Sequence, residues 1–292
     1  MSDVRAEHPV YRSCLYVPGH HPDRIARAYE SEADAVIIDL EDAVPFSHKP
    51  SARETAAAIT SRPTPKPTFV RLNSTRSTLC EQDVVAVAGI GLAGVRMAKT
   101  EWPEEIRQVA DLLRQAGSPA VVHVLIETAC GLENAYRLAT ASPSVGMLGL
   151  GESDLRADLY ADMDGATMDA ARSRVIIASR AAGLPNPLQS VFPDPRNPEG
   201  LLATSRHGKR LGFIGRMAVH PAQVPVIHRV YTPQPHEIEE AMEICAAAAL
   251  AREQNRSIVI NGKGKMVGPP AVANAQQTLR LANALDLVGN AT

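Results

Sequence analysis

The strongest constraint on the fold is a repeat in hydropathy. Short, almost continuous apolar runs recur at 14–17, 35–40, 68–73, 94–98, 120–126, 145–150, 188–192 and 213–219. Helical patterns lie between many of them, at 22–32, 51–60, 103–115, 132–140, 166–182 and 198–211. Runs that are apolar throughout, rather than alternating, suit strands buried on both faces, as in a parallel sheet covered by helices. Eight such units predict an α/β fold closed as a TIM (β/α)₈ barrel. The alternative is an open doubly wound sheet. That fold is usually marked by a glycine-rich first turn, whereas here the turn reads PGHHPDR. After the eighth run the pattern changes to a helix at 236–252, then SIVINGKGKMVGPP, then a helix at 271–284. The middle segment reads as a β-hairpin turning at Asn261-Gly262 or Lys263-Gly264. The expected division is a barrel over 1–230 and a C-terminal helix–hairpin–helix extension over 231–292. The extension is too small to fold alone and is expected to pack on the barrel or on a neighbouring subunit.

A length of 292 residues accommodates one barrel with an appendage. Hydrophobic residues make up 45 % and aromatic residues only 4 %, so the core must be aliphatic. A formal charge of −2 supplies no basic field for nucleic acid. Cys14, Cys80, Cys130 and Cys245 form no CxxC pair, which argues against a disulfide framework or a zinc knuckle. The N-terminus lacks a signal-peptide core, and no stretch approaches the roughly 18 apolar residues of a membrane span. A cytoplasmic protein with no membrane partner is the expectation.

In a barrel of this kind, polar residues at the C-terminal ends of strands face the active site. In AVIIDLEDAV, alternation puts Asp39 and Glu41 on one face, and in FVRLN it does the same for Arg71 and Asn73. Two carboxylates, a guanidinium and an amide are thus expected together at the mouth. Arginine suits bidentate carboxylate recognition, and Asp39 or Glu41 would fix its rotamer. The same spacing also suits a structural ion pair. Glu127 ends the fifth run, and Gly149-Leu150-Gly151 leaves room before Glu152, Ser153 and Asp154 after the sixth. Two carboxylates on adjacent strand ends suit Mg²⁺, which keeps waters and substrate oxygens in its shell. Equally, Ser153 or Asp154 would serve as a helix cap with no metal. His123 lies roughly 13 Å deeper than Glu127, at about 3.3 Å per residue, and reads as an interior histidine. His20-His21 is read as solvent-facing, Cys130 as a small apolar residue and His220-Pro221 as a strand terminator. No GxSxG, HExxH or P-loop occurs.

RSCLYVPG (12–19), ADAVIIDLEDAVP (33–45), Lys49 with Ala52-Arg53, VRLN (70–73), LIETACGLENA (125–135), LGLGESDLRADL (148–159), GFIGRMAVHPAQ (212–223) and NGKGKMV (261–267) follow one another in a familiar order. Together they resemble the citrate lyase β-subunit and malyl-CoA lyase branch of the HpcH/HpaI aldolase superfamily, over about residues 12–284. The resemblance implies a TIM barrel in homotrimers or hexamers, with the C-terminal segment lying over a neighbour's site. It implies Mg²⁺, with Mn²⁺ as a substitute, held by Glu127 and Asp154. Arg71 would contact the oxygens of a 2-oxo acid, Glu41 sits where its acidic partner lies, with Asp39 beside it by the alternation above, and the backbone of Gly151, Glu152 and Ser153, up to Asp154, would receive the substrate carboxylate. Arg24 and Arg27 would reach coenzyme A phosphates. The implied reaction is metal-dependent carbon–carbon cleavage of a malyl-, citramalyl- or citryl-CoA-like 3-hydroxyacyl thioester, or a related hydroxy acid. The alternatives are a metal-dependent thioesterase, an oxo-acid aldolase that does not use coenzyme A, and a catalytically silent member.

Two departures from the pattern stand out. Lyases of this branch commonly carry an aspartate after GKMV, whereas Gly268 stands here. The usual LPK is replaced by MAK at 97–99. Glycine transfers no proton, so the first change bears directly on the reaction.

Overall fold

The apolar runs become parallel strands. A computed structural model of the chain describes residues 9–253, 259–260 and 266–288. Contacts divide the chain into two compact units, Met1–Val230 and Tyr231–Thr292. The first unit carries β1 (Ser13–Pro18), β2 (Ala35–Asp39), β3 (Thr68–Leu72), β4 (Leu92–Met97), β5 (Val121–Ile126), β6 (Val145–Leu150) and β7 (Arg216–Ala218). They form one sheet in the order β6-β5-β4-β3-β2-β1-β7, and every pairing is parallel. Helices α1 (Pro22–Glu30), α2 (Lys49–Thr60), α3 (Leu79–Val87), α4 (Pro103–Gln115), α5 (Ala129–Glu133) and α6 (Ala135–Ala139) connect the first six strands. They are followed by α7 (Glu152–Leu159), α8 (Ala166–Ala181), α9 (Pro198–Leu211) and α10 (Val224–Tyr231).

The sheet curls. Met147 of one edge strand and Met217 of the other share a buried cluster with Ile37 and Phe69 from the middle of the sheet, and with Leu188. A flat sheet cannot bring both its edges onto one core. The buried set is dominated by Ala, Val, Leu and Ile, as a composition poor in aromatics requires.

The seventh strand, expected at 188–192, does not form. Gln189 makes a single parallel bridge to Arg216, with its N–H donating to Gly215 O and its carbonyl accepting from Met217 N–H. Pro185, Pro187, Pro193 and Pro195 bracket this segment and remove the donors a longer ladder needs. The run at 213–219 also shortens to three strand residues. Gly215 passes so close to Tyr11 O that a Cβ there would stand 2.4 Å from it.

In the second unit α11 (Pro235–Glu253) precedes an antiparallel pair, β8 (Val259–Ile260) with β9 (Met266–Val267), and α12 (Pro269–Ala284) follows. The helix–hairpin–helix order is therefore present, and the expected turn at 261–264 lies outside the described residues. Among the described residues no helix is long and apolar enough to cross a membrane, and all four cysteines are free.

Candidate active site

The C-terminal ends of the strands surround a cavity of about 230 Å³ in the first unit. Its wall includes Asp39, Arg71, Glu127, Gly151, Glu152, Ser153 and Asp154, which are residues singled out from the sequence. Parallel register sets Asp39 opposite Arg71, and Arg71 opposite Arg96, so all three side chains leave the same face of the sheet. Arg71 donates from Nε to Asp39 Oδ1 (2.8 Å) and from Nη2 to Oδ2 (2.6 Å). Its Nη1 lies 3.2 Å from Glu41 Oε2, and its guanidinium sits over the Tyr16 ring. Asp39 also accepts the backbone N–H of Glu41 (2.8 Å) and of Ala43 (3.1 Å), which fixes the carboxylate and so the guanidinium. Burial opposes the charge on Arg71, but Asp39 more than offsets it and raises its pKa. Asn73 does not join this group. Its amide donates to Asp83 Oδ2 (2.6 Å), and Asp83 is paired with Arg53, because a fully buried aspartate on α3 requires donors.

Glu127 follows β5, is 3 % exposed and lines the same wall as Asp154. Burial pushes its carboxyl up to about 7; the Lys99 N–H and Arg71 oppose the rise, and Asp154 and Glu41 add to it. The Lys99 N–H donates to Glu127 Oε2 at 2.7 Å. Asp154 is the third residue of α7, whose N-cap is Gly151 with no side-chain cap bond, so neither Ser153 nor Asp154 acts as the helix cap. The Glu152 side chain is taken up by Arg172 of α8, and its backbone N–H donates to Ser190 Oγ. A buried carboxylate facing a second one, with no third His, Cys, Asp or Glu completing a cluster among the described residues, suits a hard cation that keeps water and substrate oxygens.

The Gly-Leu-Gly that ends β6 and caps α7 makes room for two side chains. A Cβ at Gly151 would stand 2.3 Å from Glu127 Oε1, and one at Gly149 would stand 2.4 Å from Arg96 Nη2. Two functional residues escaped the reading of the sequence. Lys99 holds Glu127 through its backbone and reaches Glu41 Oε1 (2.7 Å) and Asp42 Oδ1 (3.1 Å) through Nζ. It sits in the left-handed region at φ 52°, an uncommon conformation for a residue with a Cβ. Arg96 lines the cavity at 1 % exposure, and its Nε and Nη1 have no hydrogen-bond partner. The available signal was a charge inside the apolar run GVRMA. Burial is the main cause that raises the Glu41 carboxyl, opposed by Arg71 and Lys99.

Other residues lie apart from the cavity wall. Arg24 and Arg27 are exposed on α1, and Arg27 bonds Asp23 O. His123 stacks on Phe69 at 4.5 Å in the interior, as its depth implied. His20 packs against His21 and His48, and Cys130 is half-buried beside Asn134.

The family model "HpcH/HpaI aldolase/citrate lyase" matches residues 12–221. The chain is 31 % identical to a citrate lyase subunit beta of Leuconostoc mesenteroides subsp. cremoris, over 95 % of both chains. It is 31 % identical to the mitochondrial citramalyl-CoA lyase of Homo sapiens, over 94 % of this chain and 86 % of that one. The crystal structure of CitE from Mycobacterium tuberculosis with magnesium, acetoacetate and coenzyme A has a TM-score of 0.76 at 30 % identity. The match covers 96 % of this chain and all of that one. On these likenesses and the site above, the chain belongs to the HpcH/HpaI aldolase/citrate lyase family.

Proposed function

We propose that this protein is a Mg²⁺-dependent carbon–carbon lyase that cleaves a 3-hydroxyacyl-CoA to a 2-oxo acid and an acyl-CoA. The observation that carries the reading is Glu127, a nearly inaccessible carboxyl raised to about 7 beside Asp154, in a cavity shared with the fixed Arg71. Such a pair is relieved by a divalent cation, and Glu127 and Asp154 would hold it. The bound cation, Mg²⁺ or Mn²⁺, would supply Lewis-acid polarisation of the oxo-acid oxygens. Structures of Mycobacterium tuberculosis CitE with magnesium and oxaloacetate or pyruvate support this choice of metal and ligand.

In cleavage the C3 hydroxyl loses its proton, the C2–C3 bond breaks, and the electron pair passes to the thioester α-carbon, which takes up a proton from water or from the acid that received the first one to complete the acyl-CoA. Arg71, held by Asp39, stabilises the oxygen that becomes the carbonyl. Glu41, raised by burial and adjacent to Arg71, is the candidate proton acceptor, and Asp39 is a positioning residue. The start of α7, from Gly151 through Ser153, would receive the substrate carboxylate on its backbone N–H groups. The Glu152 carboxylate would only brace that turn through Arg172. Arg24 and Arg27 would meet the phosphates of coenzyme A. We also assign to the reading a closed barrel over 1–230, with the loosely paired 188–192 segment in the seventh position. The extension over 231–292 would cover a neighbour's site in a cytoplasmic homotrimer or hexamer.

Gly268 favours a second reading, thioester hydrolysis or aldol cleavage without coenzyme A, because a glycine supplies no proton to the α-carbon. Malyl-, citramalyl- and citryl-CoA, each with and without Mg²⁺, separate the two. Oxo acid and acyl-CoA in equal amounts support the lyase. Free thiol without oxo acid identifies a hydrolase, and no product from any of them refutes both thioester reactions.

A further inference from the structure

Among the described residues Arg96 is the largest fully buried side chain, and it makes no ion pair with any of them. Its Nε and Nη1 have no acceptor, and no hydrogen bond satisfies its guanidinium. Neighbouring Arg71 is different, because Asp39 takes up two of its nitrogens. A guanidinium is permanently charged, and burying one without a counter-charge costs several kcal/mol as an order of magnitude. A fold retains such a group readily where an anion completes it. Arg96 opens on the cavity that Glu127, Asp154 and Arg71 also line.

Gly149 of β6 and Gly151, the residue that caps α7 just past the strand, give a scale for the site. Arg96 Nη2 packs where a Gly149 Cβ would stand, and Glu127 Oε1 packs where a Gly151 Cβ would stand. Positions two apart along an extended chain are separated by at most about 7 Å. Arg96 thus lies on the cavity floor, roughly that distance below the carboxyl we assign to the cation. A second anionic group joined to the oxo-acid unit by one or two carbons spans this gap. The planar fork matches a carboxylate in bidentate fashion.

Resting on the oxo-acid reading above, we infer that Arg96 is a specificity-determining residue that binds a second carboxylate on the oxo-acid half of the substrate. The site then selects an oxo-dicarboxylate over an oxo-monocarboxylate. Tyr16 and Ser190 also line the cavity.

The test is calorimetric titration of oxaloacetate and of pyruvate into wild type, Arg96→Met and Arg96→Lys, each at saturating Mg²⁺, with circular dichroism as the folding control. These ligands differ by one carboxylate. The wild type is expected to prefer oxaloacetate by at least tenfold. Arg96→Met should cut that ratio by tenfold or more, and Arg96→Lys, which keeps the charge but loses the fork, by an intermediate factor. Equal wild-type affinities, or an unchanged ratio in the variants, would overturn the assignment to Arg96 while leaving the oxo-acid reading intact. If Arg96→Met binds neither ligand, the Arg96→Lys ratio decides by the same criterion. If the wild type binds neither, the oxo-acid reading falls and this inference with it.

Discussion

Replacing Glu127 by glutamine should stabilise the metal-free protein, and only above a defined pH. The carboxyl ionises near 4.5 when exposed, and burial as the first cause lifts it to about 7 in the fold. Between those values the folded state holds a proton that the unfolded state has released, so stability falls as pH rises through the window. Below pH 4.5 the neutral acid carries no penalty. Above pH 7 the full cost applies, up to roughly 3 kcal/mol at about 1.4 kcal/mol per pH unit. Glutamine is neutral throughout, and its amide oxygen still accepts the Lys99 N–H. In EDTA the melting temperature of Glu127→Gln should match wild type near pH 4.5 and exceed it at pH 8. The excess is about 6–12 °C, taking about 2–4 °C per kcal/mol for a unit of this size. Adding Mg²⁺ at pH 8 should raise the wild type and leave the variant unmoved. Equal melting temperatures at pH 8, or a variant less stable at every pH, would refute the claim that this carboxyl is held under strain for a cation.

Three further outcomes follow from the same geometry. Arg71→Lys should lower kcat by roughly 10²-fold, since an ammonium cannot keep both bonds to Asp39 and a third contact; a raised KM with unchanged kcat would make Arg71 a ground-state binding group only. Gly151→Ala should weaken Mg²⁺ binding far more than it perturbs the circular dichroism, because its Cβ must displace the Glu127 carboxyl, and titration showing unchanged affinity would contradict this. Gly268 has an extended backbone at φ −116° and, among the described residues, an added Cβ would meet only Pro270 Cδ at 3.8 Å, so Gly268→Asp is expected to be tolerated. It should raise thioester cleavage by about 10²-fold or more if proton transfer limits the natural protein, whereas fast cleavage by the unmodified chain would assign the proton to another group.

The parts of the fold legible in the sequence were those governed by local pattern. Six of the eight apolar runs became strands of nearly the expected extent, because a continuous apolar run has few other ways to be buried. Of the other two, the run at 213–219 shortens to three strand residues, and that at 188–192 is limited to one bridge by its flanking prolines. Alternation also put Asp39, Glu41 and Arg71 together, since parallel register is a rule of geometry. The same rule failed for Asn73, which lies past the last residue of β3 and is drawn to Asp83 of α3 by a contact that no local pattern encodes. Lys99 and Arg96 were hidden for a related reason. The contact of Lys99 with Glu127 depends on a left-handed backbone just past a strand end, and the state of Arg96 on two buried guanidinium nitrogens that no acceptor meets. Both are properties of the assembled sheet.

The central claim is that Glu127 and Asp154 jointly hold one divalent cation against which an oxo acid binds. Electron paramagnetic resonance of Mn²⁺ titrated into the protein tests it most directly. The account predicts one tight site per chain, a spectrum changed by added pyruvate or oxaloacetate, and loss of that site in both Glu127→Gln and Asp154→Asn. Tight Mn²⁺ binding that survives in both variants, or a bound spectrum indifferent to oxo acids, would contradict it.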